Sequence, residues 1–394
     1  MTPAARAQAA IDLLDEIVVA AREGGAAADT LIARYFKTRR YAGSKDRRAV
    51  RDLIYAAIRR AGERPESGRA ALAGLAGDLP EVASLFDGSA HGPAPIGPQE
   101  SRSPAGVAPH WLETRLAASL DRADWPALLE RAPLDIRVNR LRARRDALLP
   151  LIPGAERTPL SPDGLRLPEG TQVEGTPQWE AGLFDVQDEG SQLVALATAA
   201  QPGMTVVDLC AGAGGKTLAL AAMMEDRGTL VACDTDRARL SRLIPRATRA
   251  GVTIAETRLL DPNREAAALA DLAGRADVVL VDAPCSGMGT WRRNPEARWR
   301  LTPDRLARLT AIQSRLLDVA APLVRPGGRL IHVVCSLLDE EGAEQAAAFL
   351  ARNPGWSAGG DPTGAAEPRG PGFRLTPATH RTDGFFFATL VRSC

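Results

Sequence analysis

Two segments of this chain end an apolar run on a cysteine. One is Val281-Asp282-Ala283-Pro284-Cys285-Ser286-Gly287; the other is Val333-Val334-Cys335-Ser336. A thiolate can add to an electron-poor ring carbon and activate its neighbour. A carboxyl group beside it can assist by hydrogen bonding or proton transfer. Cytosine is a base whose alkylation needs both. Its carbon 5 is too weak a nucleophile to attack a methyl sulfonium directly. Once a thiolate adds to carbon 6 it becomes enamine-like, and Asp282 at N3 would ease that addition. A base then removes the carbon-5 proton and the thiol leaves. The plain alternative is that Cys285 and Cys335 are small buried residues, as free cysteines often are. Their shared position at two strand ends, one after Asp-Ala-Pro, weighs against it.

This chemistry asks for a methyl donor, and the chain carries a loop suited to one. Val206-Val207-Asp208-Leu209-Cys210-Ala211-Gly212-Ala213-Gly214-Gly215-Lys216-Thr217 reads as a strand, a glycine turn and a helix start. Such a turn lets backbone approach a ligand, and the helix N-terminus favours an anion. A phosphate-binding P-loop would need Gly at 210, where the chain has Cys210. The dinucleotide fingerprint fails at Thr217. The next apolar run ends on Asp234, placed to accept two ribose hydroxyls. The third ends near Asp261, where a polar side chain could meet adenine. Together they favour an adenosine-type ligand without a polyphosphate, namely S-adenosylmethionine.

The elements that must position these residues follow from periodicity. Apolar runs at 205–210, 229–234, 252–257, 277–282 and 329–336 alternate with helical stretches. That pattern predicts an α/β fold with a doubly wound, Rossmann-like parallel sheet. The runs 373–375 and 384–391 predict an antiparallel C-terminal edge. Residues 4–60 read as helices. The predicted domains are a helical region over 1–87, a Gly/Pro-rich linker over 88–109, an α/β subdomain over 110–185 and the cofactor-binding domain over 186–394.

Net charge is +1, so the chain as a whole does not announce nucleic-acid binding. The charge is uneven, however. Between Arg34 and Arg60 lie ten Lys or Arg and only two acids. Further basic runs are Arg137, Arg140, Arg142, Arg144, Arg145 and Arg292, Arg293, Arg298, Arg300. Each is a candidate for phosphate contact or simply a solvated face. The five cysteines and four histidines suggest neither a zinc site nor a disulfide scaffold. The first residues lack a signal-peptide core, and no apolar run approaches the ~20 residues of a membrane span. A cytoplasmic protein with no metal is expected, and nothing calls for more than a monomer.

The motifs resemble, in order, those of the RNA cytosine-5 methyltransferase family, in particular its bacterial RsmB-like (Nop/Sun) branch. The resemblance covers about 110–392 and rests on Arg137-Val138-Asn139 with Leu141, Phe184 to Gln192, the cofactor loop, Asp234, Asp261, Asp282 to Gly287, Cys335-Ser336 and Asp383-Gly384-Phe385-Phe386. It implies RNA, ribosomal in that branch, as substrate. It implies Cys335 as nucleophile and Cys285 as the residue that assists product release, and it implies that Cys210, Ala211, Gly212, Ala213, Gly214, Gly215, Lys216, Asp234, Asp261 and Asp282 contact the cofactor. DNA cytosine-5 methyltransferases attack from the position of Cys285, so position alone leaves the roles open. The chain departs from the family in Ala213, where Pro is usual, and in Val333-Val334 before Cys335. Residues 44–60 resemble part of the branch's NusB-like RNA-binding domain, in a shortened form. The competing functions are a DNA methyltransferase, which lacks its recognition insertion here, and a non-catalytic RNA-binding or ribosome-assembly factor on the same fold.

Overall fold

The computed structural model describes all residues, 1–394. The chain forms two compact units: Met1–Arg131 with Thr290–Arg305, and Ala132–Gly289 with Leu306–Cys394.

The first unit is helical. Its main helices are α1 (Pro3–Glu23), α2 (Ala28–Thr38), α3 (Ser44–Arg60) and α4 (Gly68–Asp78). Thr2 caps α1 by accepting the Ala5 N–H, with Pro3 in the first turn, and Gly24 ends the helix in the left-handed region. Leu13, Leu14 and Ile17 pack with Ile54, Ile58 and Leu72 in one fully buried cluster that also takes in Trp299.

The linker expected over 88–109 is instead a strap on this unit. Ser103 donates to the Ala70 carbonyl at 3.0 Å, and Gly106 to the Arg60 carbonyl at 2.9 Å. Arg69 binds Glu100 at 2.6 Å. Gly/Pro composition predicts the absence of helix, correctly, but does not reveal which polar groups satisfy the backbone. The domain boundary expected at 109/110 therefore falls inside the unit, which runs to Arg131 and recruits 290–305 from the middle of the cofactor-binding half.

The second unit holds two sheets. β1 (Leu134–Val138), β2 (Glu156–Arg157), β3 (Gly164–Leu167) and β4 (Phe184–Val186) form a small antiparallel sheet in the order β2-β3-β1-β4. The large sheet contains β5 (Thr205–Asp208), β6 (Thr229–Asp234), β7 (Ala255–Leu259), β8 (Ala276–Asp282), β9 (Val324–Val334), β10 (Trp356–Ala358), β11 (Glu367–Arg369), β12 (Gly372–Leu375) and β13 (Phe385–Arg392). Its order is β11-β12-β13-β9-β8-β5-β6-β7, with β10 also pairing to β13. The five strands from β5 to β9 are parallel, whereas β13 runs antiparallel to β9. The expected doubly wound sheet with an antiparallel C-terminal edge is what forms.

Both faces of the parallel core are covered, which is why β8 reads as a continuous apolar run. Val207, Val279, Val281, Leu330 and Val334 fill one face. Val206, Val278, Leu280, Ile331 and Val333 fill the other. The strand order reverses between β5 and β8, and ligands of such sheets bind beyond the carboxyl ends at that reversal.

Candidate active site

The expected residues gather at this end of the second unit. β8 and β9 are parallel neighbours with Asp282 beside Val333, so the loops after them lie side by side. Cys285 and Cys335 meet there, sulfur to sulfur at 3.3 Å. The contact with Cys335, together with burial and the nearby Glu341 carboxylate, holds the Cys285 thiol well above its ordinary pKa. Cys285 is thus a proton-bearing thiol.

Lys216, in the first turn of the helix Gly215–Met223, places Nζ 2.7 Å from Asp282 Oδ2. Burial opposes its charge, but Asp282 more than offsets this and the pKa is raised. Cys335 is near enough to add to that effect if it is a thiolate. The ammonium also lies 5.5 Å from the centre of the Phe385 ring. A thiol pair, a fixed ammonium and a carboxylate therefore share one corner.

The glycine loop stands next to them. Gly212 and Gly214 have φ of 56° and 85°, and a Cβ on Gly214 would come 2.0 Å from Leu243. Glycine is required there on both counts. Ala213, the departure from the usual Pro, has its carbonyl bound by Arg246 at 2.6 Å. Arg246 in turn pairs with Asp185 at 3.2 Å. Asp234 accepts the N–H groups of Gly212 and Asp236, each at 2.7 Å. Asp208 is fully buried, and burial pushes its pKa to about 7. Its Oδ2 takes the Thr217 hydroxyl at 2.7 Å, while Oδ1 has no partner. Cys210 is raised well above its ordinary range by burial, and Cys233 is pushed to about 12 by the same cause, so burial disfavours a thiolate at either. Asp261 is exposed just past β7, one residue beyond the Leu260 N–H that bonds to the Asp234 carbonyl.

Two other sequence motifs prove to be connected. Asp188 caps the helix Glu189–Ala197, accepting from Gly190 and Ser191, and its second oxygen takes the Asp383 N–H at 3.0 Å. Gly384 donates to the Gly289 carbonyl at 2.8 Å, and Gly289 donates to the Cys335 carbonyl at 3.0 Å. A Cβ on Gly289 would lie 1.9 Å from the Gly384 oxygen. The 383–384 turn thus braces the loop that follows Cys285.

The three basic runs fare differently. In the first, Arg34, Lys37, Arg40, Lys45, Arg47, Arg48 and Arg51 are exposed. In the second, Arg137 is buried against Gln187, while Arg142 and Arg145 bind the carbonyls of Ala250 and Ser161. The third is a correction. Arg298 has 0% exposure and donates to the carbonyls of Ile58, Arg59 and Ala61 at the end of α3. Burial lowers its pKa to about 9. Arg292 is buried as well, and Arg300 binds the carbonyls of Gly25 and Ala26. Unfilled carbonyls at the end of α3 demand donors, and Arg298 supplies them, while Arg300 serves the loop between α1 and α2. They do not present a free face to phosphate.

Sheet order, glycine loop and strand-end acids define a Rossmann-like methyltransferase. The fold matches the crystal structure of PH0851 (25% identical, TM-score 0.76, 99% of each chain) and that of a methyltransferase homologue from Pyrococcus horikoshii (26% identical, TM-score 0.63, 73% of this chain and 96% of that one). The family model for 16S rRNA methyltransferase RsmB/F matches residues 195–391, and the chain belongs to that family. It is 36% identical over 292 residues to ribosomal RNA small subunit methyltransferase B of Citrobacter koseri and 34% identical to that of Cronobacter sakazakii. Each match covers 72% of this chain and 66% of the relative, so the chain spans just under two-thirds of those proteins' length. No helix is long and apolar enough to cross a membrane.

Proposed function

We propose that this protein methylates carbon 5 of a cytosine in small-subunit ribosomal RNA, using S-adenosylmethionine and a transient bond between Cys335 and carbon 6. The contact between Cys285 and Cys335 beside the Lys216–Asp282 pair carries this reading. Ionisation of Cys285 is disfavoured by its contact with Cys335, by burial and by the Glu341 carboxylate, which supports Cys335 as the attacking sulfur. As the thiolate adds to carbon 6, a proton shared in the Lys216–Asp282 pair passes through Asp282 to N3 and neutralises the charge entering the ring. Cys285 then assists elimination after the carbon-5 proton is removed, so that Cys335 is released.

The loop residues fit the cofactor. The unpartnered Asp208 Oδ1 suits the ammonium of a methionine moiety, in a position where an unmatched buried acceptor is otherwise costly. Each Asp234 oxygen accepts one backbone N–H and keeps a lone pair for a ribose hydroxyl. A Cβ on Gly215 would meet nothing within 4 Å, so the loop is open to a ligand at that point. Cys210 to Lys216, Asp234, Asp261 and Asp282 line the site. When bound, the cofactor supplies an electrophilic methyl group. The exposed basic face from Arg34 to Arg51 supports contact with the RNA backbone, and the target base is extruded or single-stranded.

The test is to incubate wild type, Cys335→Ala and Cys285→Ala with S-adenosylmethionine and undermodified small-subunit rRNA. The readouts are 5-methylcytosine and covalent protein–RNA adduct. Cys335→Ala is expected to give neither, and Cys285→Ala to accumulate adduct. Methylation by Cys335→Ala would move the nucleophile to Cys285. A wild type that makes no 5-methylcytosine would favour a non-catalytic RNA-binding factor.

A further inference from the structure

Glu341 lies in the turn between β9 and the helix Ala343–Arg352, with 0% exposure. Its Oε1 accepts the Ser286 N–H at 2.8 Å and the Gln313 amide at 3.0 Å. Its Oε2 accepts the Ser286 hydroxyl at 2.5 Å. That hydroxyl is 3.1 Å from the Ser336 hydroxyl, so Ser336 must be the donor between them. Gln313 also binds the Pro284 carbonyl at 2.9 Å. Behind it, the Glu341 carbonyl is 3.0 Å from His332 Nε2. A carbonyl only accepts, so Nε2 carries the proton. Burial keeps His332 neutral, with a pKa near 4.

One buried carboxylate therefore holds Ser286 directly, Pro284 through Gln313 and, through two hydroxyls, Ser336 after Cys335. We propose that Glu341 is a positioning residue that holds the Cys285 loop against Cys335 and so sets the geometry of the thiol pair; this rests on the cysteine roles proposed above. Its negative charge also opposes ionisation of Cys285, keeping the proton on the sulfur that must assist release. A buried carboxylate costs free energy unless its hydrogen bonds are filled. Ser286 and Gln313 supply those bonds, and they converge on the loop of a reactive sulfur.

The test is Glu341→Gln, which keeps shape and removes charge, with Ser336→Ala as a milder cut of the link between loops. Rates, covalent adduct and cofactor binding are measured with S-adenosylmethionine and small-subunit rRNA. Site-resolved alkylation by iodoacetamide is measured without substrate. Glu341→Gln is expected to lower kcat about 10²-fold with little change in KM or cofactor binding, since small misplacement of reacting groups has that cost. Adduct should accumulate as in Cys285→Ala. Alkylation of Cys285 relative to Cys335 should rise about tenfold as the opposing charge is lost. Ser336→Ala is expected to accumulate adduct even if Glu341→Gln does not fold. A folded Glu341→Gln with wild-type kcat, no adduct and an unchanged alkylation ratio overturns the proposal. So does a Ser336→Ala variant that behaves as wild type when Glu341→Gln cannot be made. If wild type itself forms no 5-methylcytosine, the functional reading fails, and the alkylation ratio still decides the role of Glu341.

Discussion

Asp188→Ala removes one carboxylate that serves two elements. Asp188 Oδ2 accepts from Gly190 at 2.8 Å and Ser191 at 3.3 Å, which caps the helix Glu189–Ala197. Oδ1 accepts from Asp383 at 3.0 Å, in a residue only 3% exposed. Losing a helix cap costs about 1 kcal/mol. Stranding a buried N–H costs a further ~1–3 kcal/mol. The expected loss is thus about 3 kcal/mol, with Asp188→Asn near half of that because one oxygen remains. Global unfolding would mix the two units, so hydrogen exchange of amides within 189–197 and 385–391 is the assay. Both stretches should open more easily by that amount, while α1 and α3 stay at wild-type protection. The 383–384 turn braces Gly289 and, through it, Cys335, so methylation should also slow in protein that remains folded. A change below about 1 kcal/mol in both stretches would refute the reasoning, because water would then be replacing the carboxylate at no cost.

The basic residues separate by substitution. Arg298→Met should weaken protection at the end of α3 by about 2 kcal/mol, because buried carbonyls lose charged donors. Arg48→Ala should leave stability within about 0.5 kcal/mol, yet lower RNA affinity and reduce the salt slope by about 1 if its guanidinium meets a phosphate. A fall in RNA affinity from Arg298→Met with protection unchanged would reverse this assignment. Acid should destabilise the second unit through His332. The unfolded chain takes a proton near pH 6.5, but the folded chain refuses it until about pH 4. Stability therefore falls as pH drops through that window, by about 3 kcal/mol in total. Exchange of β9 amides in wild type and His332→Gln between pH 4 and 7 checks this, and equal pH slopes would sink it.

The large sheet was legible because its strands are apolar runs bounded by glycine turns and acids. β6 spans 229–234, as periodicity predicts, and β8 starts one residue earlier than expected. β7 was displaced, running 255–259 rather than 252–257, because Val252 closes the turn after the preceding helix on Ala247 and Thr253 is held by Asp226. The antiparallel edge of β12 and β13 followed from two strand-like runs near the C-terminus, whereas the pairing of β13 with β9 was not legible there. Cys285, Cys335 and Asp282 could be singled out since strand ends beside a reversal point must converge.

Other features needed the folded chain. Arg298 and Arg300 look solvated in a run of arginines, and only packing shows that backbone carbonyls more than 200 positions away claim them. Glu341 sits in an Asp-Glu-Glu run that reads as surface, yet it is buried and bound to Ser286. The repeated Cys-Ser pair was the one local hint of that network. The compact units cut across the expected boundary for the same reason, since nothing in 290–305 says it will pack with helices from the other end of the chain. Local periodicity and residue chemistry determine which elements form and which groups react, because they depend on neighbours in sequence. Which buried donor meets which acceptor depends on contacts between distant segments, and that only the tertiary structure decides.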